Sequence, residues 1–189
     1  LNMPLNIDAI NASRYQNQTS GGSIDWVLKP GTPLTGRTIL IVDDTPDNIT
    51  LLSNLLKDKY NTKVATSGAT ALQIVAASPV DLILLDIAQP TRDGLAVARQ
   101  VRAMEKAGEW TPIIFLSAPD RDDEIEKGIA AGGDDYLLRP ISEIALGAKI
   151  RTMQRLALMR TSLLSLTRKL DAANQELIRI SSSDSLTGI

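Results

Sequence analysis

Several oxygen- and nitrogen-bearing side chains stand out because each closes an apolar run. Thr38-Ile39-Leu40-Ile41-Val42 ends in Asp43-Asp44, and Asp81-Leu82-Ile83-Leu84-Leu85 ends in Asp86. Pro112-Ile113-Ile114-Phe115-Leu116 ends in Ser117, and Asp135-Tyr136-Leu137-Leu138 is followed by Arg139-Pro140. Carboxylates gathered at one place repel one another unless a cation sits among them. The chain has no His and no Cys, which excludes disulfides, thiol catalysis, His–Cys zinc sites, Ser–His–Asp triads and phosphohistidine. The donors that remain are oxygens, and they suit a hard cation such as Mg²⁺. A hydroxyl and a guanidinium beside them would suit a phosphoryl group, and an Asp carboxylate can act as a nucleophile and form an aspartyl phosphate. Each residue alone has a plainer reading. An Asp after a strand is commonly a cap or turn former, Ser117 could cap the next helix, and Arg139 could be a surface charge. Their recurrence at successive run ends is what points to a shared site.

The elements that must position these residues follow from the runs themselves. Uninterrupted apolar stretches mark strands buried on both faces of a parallel sheet. Lys63-Val64-Ala65-Thr66 reads as a weaker strand between the first two long ones. Helical patterns fill the gaps: one opening at Pro46 with Thr45 as N-cap and Leu51, Leu52, Leu55 and Leu56 inward, then 69–77, 94–107 and 122–131. Strand and helix alternate five times, which predicts an α/β, doubly wound, five-stranded parallel sheet with helices on both faces. In such sheets ligands bind beyond the carboxyl ends of the strands, where the residues singled out above would lie.

The final helix runs on past the expected end of this domain, from about Ser142 to Ile180. Leu156, Met159, Leu163, Leu166, Leu170, Ala173, Leu177 and Ile180 are spaced alternately three and four apart, the a/d seam of a coiled coil. Residues 156–180 would span roughly 37 Å. With no other long helix in the sequence, a second copy of the chain is the expected partner, giving a homodimer through the C-terminal helix; the alternative is a helix folded back on its own domain. Residues 1–36, rich in Asn, Gln, Ser, Thr, Gly and Pro, read as an irregular arm whose apolar patch is Trp26-Val27-Leu28. The formal net charge is −2 and no basic patch is interleaved with aromatics, so nucleic acid is not an expected partner. No run is long and apolar enough to span a membrane, no segment has the order of a signal peptide, and a cytoplasmic home is expected.

The stretch from Arg37 to Ile150 resembles the receiver domain of two-component response regulators, the family of the chemotaxis response regulator. The motifs that carry the likeness are Ile41-Val42-Asp43-Asp44, Leu85-Asp86-Ile87-Ala88-Gln89-Pro90 with Asp93-Gly94, Leu116-Ser117-Ala118, and Gly133-Asp134-Asp135-Tyr136-Leu137 with Arg139-Pro140. The resemblance implies a flavodoxin-like fold over 37–150 and a phosphoacceptor at Asp86. It implies Mg²⁺ on Asp44, Asp86 and the carbonyl of Ala88, with Asp43 helping through water. Ser117 would bind the phosphoryl group and Tyr136 would be the aromatic switch that turns inward when Ser117 moves. The implied partner is a cognate histidine kinase or phosphotransfer protein. Arg139 departs from the family's Lys, so a degenerate receiver acting as a constitutive dimerisation scaffold stays open as the alternative.

Residues 151–182 read as a coiled-coil signalling helix. The stretch 183–189, with Asp184-Ser185-Leu186-Thr187-Gly188, resembles the opening of a diguanylate cyclase (GGDEF) domain, so the expected whole is a receiver that controls a cyclase. Gly132-Gly133-Asp134-Asp135-Tyr136 is not that signature, because it falls at the fifth receiver strand. This chain is therefore not itself expected to be an enzyme.

Overall fold

The computed structural model describes residues 36–87, 94–118 and 122–187. The arm, Gly36 aside, lies outside that set, as do Ala88, Gln89, Pro90 and Asp93 of the motifs. The elements are β1 (Thr38–Val42), α1 (Pro46–Leu56), β2 (Asn61–Ala65), α2 (Gly68–Ala77), β3 (Leu82–Asp86), α3 (Gly94–Met104), β4 (Ile113–Ser117), α4 (Asp122–Ala130), β5 (Asp135–Leu138) and α5 (Glu143–Thr187). The sheet is parallel throughout, in the order β2-β1-β3-β4-β5.

The apolar runs are continuous because β1, β3 and β4 are covered on both sides. Leu40, Val42, Ile83, Leu85, Ile113 and Phe115 face one layer, against Ala71 of α2 and Val97, Ala98 and Val101 of α3. The alternate residues Ile39, Ile41, Leu82, Leu84, Ile114 and Leu116 face the other, against Leu52 and Leu56 of α1 and Leu146, Ile150 and Met153 of α5. That two-residue alternation within an all-apolar strand is what a strand sandwiched between helices requires.

The differences from the expected elements have local causes. β2 begins at Asn61 because it pairs Thr38 with Asn61 at the sheet edge, and the Asn61 amide N–H donates to the Arg37 carbonyl at 2.8 Å. It stops at Ala65 because Ser67 turns to cap α2, its hydroxyl accepting from the Thr70 N–H. On α1, Leu52 and Leu56 are buried but Leu51 is 47 % exposed. Thr45 holds the N-cap position without capping through its side chain; its hydroxyl donates to Asp44 instead. α3 ends at Met104, three residues short of expectation. There Glu105 is taken up by the Arg102 guanidinium and the Thr111 N–H. α5 does not end near Ile180 but continues to Thr187, a single helix of 45 residues, about 67 Å long. No helix among the described residues is long and apolar enough to cross a membrane.

A candidate phosphoryl and metal site at the sheet's carboxyl edge

β1, β3 and β4 are neighbours, and Val42 pairs with Leu85 while Asp86 pairs with Leu116. The residues after β1, at the end of β3 and at the end of β4 therefore emerge side by side. Carboxylate oxygens of Asp43, Asp44 and Asp86 lie within 4.8 Å of one another. Ser117 ends the adjacent strand, and Arg139 follows β5 with its amide N–H bonded to the Ser117 carbonyl at 2.9 Å. The Arg139–Pro140 peptide is cis. The strand ends thus bring together Asp43, Asp44, Asp86, Ser117 and Arg139; Ala88 lies outside the described residues.

Asp43 is fully buried, and its charge is met from several sides. Oδ1 accepts from the Thr45 N–H at 2.9 Å and from Asn48 Nδ2 at 3.1 Å, and Oδ2 accepts from Arg139 Nη2 at 2.7 Å. The same Nη2 stands 3.7 Å from Asp86 Oδ1. Arg139 therefore ties Asp43 firmly and reaches toward Asp86. Asn48 has no motif to announce it; the signal is only that a polar residue at the third position of α1 comes back over the strand end from which that helix starts.

Asp44 is only partly covered and Asp86 is buried. Ser117 is buried and its hydroxyl donates to the Ala118 carbonyl at 3.1 Å. Tyr136 is turned out, 37 % exposed, with Lys149 Nζ at 5.4 Å from the ring centre. Lys149 is also held by both oxygens of Asp135.

The donor set fits a hard divalent ion. Counted over these four side chains alone, three carboxylates and one guanidinium carry a net charge of −2, which a divalent ion would offset. All candidate ligand atoms are oxygens. Because Asp43 already serves Thr45, Asn48 and Arg139, Asp44 and Asp86 are the carboxylates better placed to ligate directly.

Gly94, where α3 starts, lies against the backbone of Asp86 and Ile87. A Cβ at Gly94 would lie 2.5 Å from the Asp86 carbonyl oxygen and 3.2 Å from Ile87 Cα. Backbone cannot yield as a flexible side chain can, so Gly94→Ala is expected to cost about 1–3 kcal/mol. Urea denaturation checks this.

Comparison with known proteins agrees with this geometry. The family model of the response regulator receiver domain matches residues 39–151, more than half of the chain. A probable cyclic di-GMP phosphodiesterase of Vibrio cholerae is 40% identical over 115 residues, 61% of this chain and 26% of that protein. Response regulator PleD of Caulobacter vibrioides is 35% identical over 123 residues, 64% of this chain and 27% of that one. The chain thus spans about a quarter of the length of these relatives. Among solved structures, a putative response regulator from Chloroflexus aurantiacus aligns with a TM-score of 0.60 at 28% identity, over 64% of this chain and 98% of that one. The receiver domain of the Saccharomyces cerevisiae response regulator Ssk1, solved with the histidine phosphotransfer protein Ypd1, aligns at 0.56 and 28%, over 61% and 87%. With the parallel sheet, the acidic edge and the family match over 39–151 in agreement, this chain belongs to the response regulator receiver family.

Proposed function

We propose that Asp86 accepts a phosphoryl group in a Mg²⁺-dependent reaction, and that the change is passed along α5 to a C-terminal diguanylate cyclase domain. The observation that carries the reading is the convergence of Asp43, Asp44 and Asp86 within 4.8 Å, with Arg139 bridging toward Asp86. A carboxylate oxygen of Asp86 attacks the phosphorus of a phosphohistidine on a histidine kinase or phosphotransfer protein; the P–N bond breaks and an acyl phosphate forms. Bound Mg²⁺ would neutralise charge shared between the carboxylates and the incoming phosphoryl oxygens. Arg139 is near enough to Asp86 for its free guanidinium edge to meet those oxygens, and its planar fork allows two bonds at once. Ser117 would give up the Ala118 carbonyl for a phosphoryl oxygen, and Tyr136 would leave Lys149 and turn inward. Asp43 anchors Arg139, and the Ala88 carbonyl would join Asp44 and Asp86 in holding the metal.

The partner is supported by the solved Ssk1 receiver, which is bound to a histidine phosphotransfer protein. The output is supported by Asp184-Ser185-Leu186-Thr187-Gly188; the name of the Vibrio relative shares the nucleotide, cyclic di-GMP, but is that of an enzyme that breaks it down. We read the domains as an arm at 1–36, the receiver at 37–150, the signalling helix at 151–182 and the start of a GGDEF domain at 183–189, in a cytoplasmic protein.

Pairing of two α5 helices is supported by the exposure of the seam. Leu156, Leu163, Leu166, Leu170, Leu177 and Ile180 are 40–65 % exposed, and every residue from 165 to 184 is exposed. Over that stretch the helix stays exposed, and the Arg168 side chain reaches back to Gly108 of the receiver. An apolar row of this length calls for a partner.

A second reading, a constitutive scaffold, is favoured by Arg139, which sits 2.7 Å from Asp43 and only 3.7 Å from Asp86. Sedimentation with and without beryllofluoride and Mg²⁺ separates the two. The switch reading expects the mimic to change the assembly; an identical dimer in both conditions supports the scaffold.

A further inference from the structure

We propose that the loop between α3 and β4 is a second seat for α5, built around Trp110, and that it fixes where the helix leaves the receiver. The core packing of α5 ends with Leu146, Ile150 and Met153, followed by the buried Leu158. Residues 160, 164 and 168 continue the same face at helical spacing. The Arg160 guanidinium lies over the Trp110 ring, 5.9 Å from its centre, within reach of a cation–π attraction. Leu164 and Arg168 close over Gly108: a Cβ there would stand 3.7 Å from Leu164 Cδ1 and 3.4 Å from Arg168 Nη2.

The loop is a stiff pedestal. Trp110 Nε1 donates to Asp134 Oδ1 at 3.2 Å, while Asp134 Oδ2 accepts from Arg102 Nη2 at 2.7 Å and from the Ile113 N–H at 2.8 Å. Arg102 also donates to the carbonyls of Gly132 and Thr111 and to Glu105. Gly108 adopts φ +89°, a conformation that side chains disfavour. The network is anchored at Asp134, immediately before β5, and β5 carries Tyr136 and leads into Arg139. One strand therefore joins the carboxyl-edge site to the helix seat.

The seat has a second consequence, which rests on the parallel pairing of seams proposed above. With Leu156, Leu163, Leu170 and Leu177 at a, Arg160 falls at e and Arg155 at g. In a parallel pair these positions face each other across the interface, so the first heptad brings Arg against Arg. Stacking on Trp110 draws Arg160 toward its own receiver and away from that encounter.

The chain has no cysteine, so nitroxide labels on Asp58→Cys and Ser165→Cys, both at exposed positions, report the angle of the helix root without background. Measured by electron–electron resonance with labelled chains diluted in unlabelled ones, the distance distribution is expected to be narrow. Trp110→Ala should lose that narrow distribution, and so should Arg160→Ala, which alters an exposed residue and leaves the receiver fold alone. An unchanged distribution in both variants would overturn the proposal, whatever the fate of the phosphorylation reading, because the measurement needs neither Asp86 chemistry nor a dimer. For the pairing consequence, Trp110→Ala should weaken dimerisation about fivefold, from two like-charge encounters, and adding Arg160→Gln should restore it. A loss that Arg160→Gln fails to restore would contradict the seat's part in pairing.

Discussion

Replacing Arg139 by alanine is expected to destabilise the receiver by about 3 kcal/mol, the cost of removing one partner of a buried ion pair. The Asp43 carboxylate is wholly buried, and Arg139 is the cation on its Oδ2. The Thr45 N–H and Asn48 remain on Oδ1, but Oδ2 would lose its guanidinium in a cluster of three carboxylates. The variant should therefore regain a large part of its stability in Mg²⁺, more than the wild type gains, because the ion then supplies the missing charge. Urea denaturation with and without millimolar Mg²⁺ checks both statements. No gain in either protein would show that the acidic cluster does not take the ion, and equal gains would show that Arg139 does not compete with it. Arg139→Lys should fold nearly as well as the wild type, since a point charge can still reach Asp43, and comparing its phosphorylation rate with that of Arg139 isolates what the planar fork contributes.

The second large effect is expected on the signalling helix. Leu163 and Leu170 are 62 % and 65 % exposed in the single chain, so Leu163→Asp with Leu170→Asp places two charges where the proposed partner buries apolar side chains. Removing two seam leucines and burying unpaired carboxylates should weaken the dimer by a factor of at least about 1,000, from roughly 2 kcal/mol or more per site. The thermal unfolding of the receiver should hardly change, because neither residue belongs to its core clusters. Sedimentation equilibrium reads the first and calorimetry the second. A dimer that survives both changes would mean that the copies associate through another surface.

The parts that were legible in the sequence are those fixed by local pattern. Continuous apolar runs located β1, β3 and β4, since strands covered on both faces leave no polar positions to blur the signal. The alternation of strand and helix gave the parallel sheet, and the sheet put Asp43, Asp44, Asp86, Ser117 and Arg139 at one edge. The long helix α5 was legible because a spacing of three and four is a one-dimensional property; its pairing as a seam is a proposal. Long-range polar partners were not. Nothing local says that Asn48 returns to Asp43, or that Arg139 spends its shortest bond on Asp43 rather than Asp86. The Arg102–Asp134–Trp110 network joins residues 32 and 24 positions apart, and no periodicity encodes it. Leu51 misled for the opposite reason: it sits in a leucine-rich stretch, yet one helix face cannot turn four neighbouring leucines inward.

The most direct test of the account is the intact mass of the protein after incubation with acetyl phosphate and Mg²⁺, run on the wild type and on Asp86→Asn. One phosphoryl adduct is expected on the wild type, absent when Mg²⁺ is removed and absent in Asp86→Asn. No adduct on the wild type, under conditions that label another receiver, would contradict it and leave a scaffold in which Arg139 and Asp43 only brace the fold.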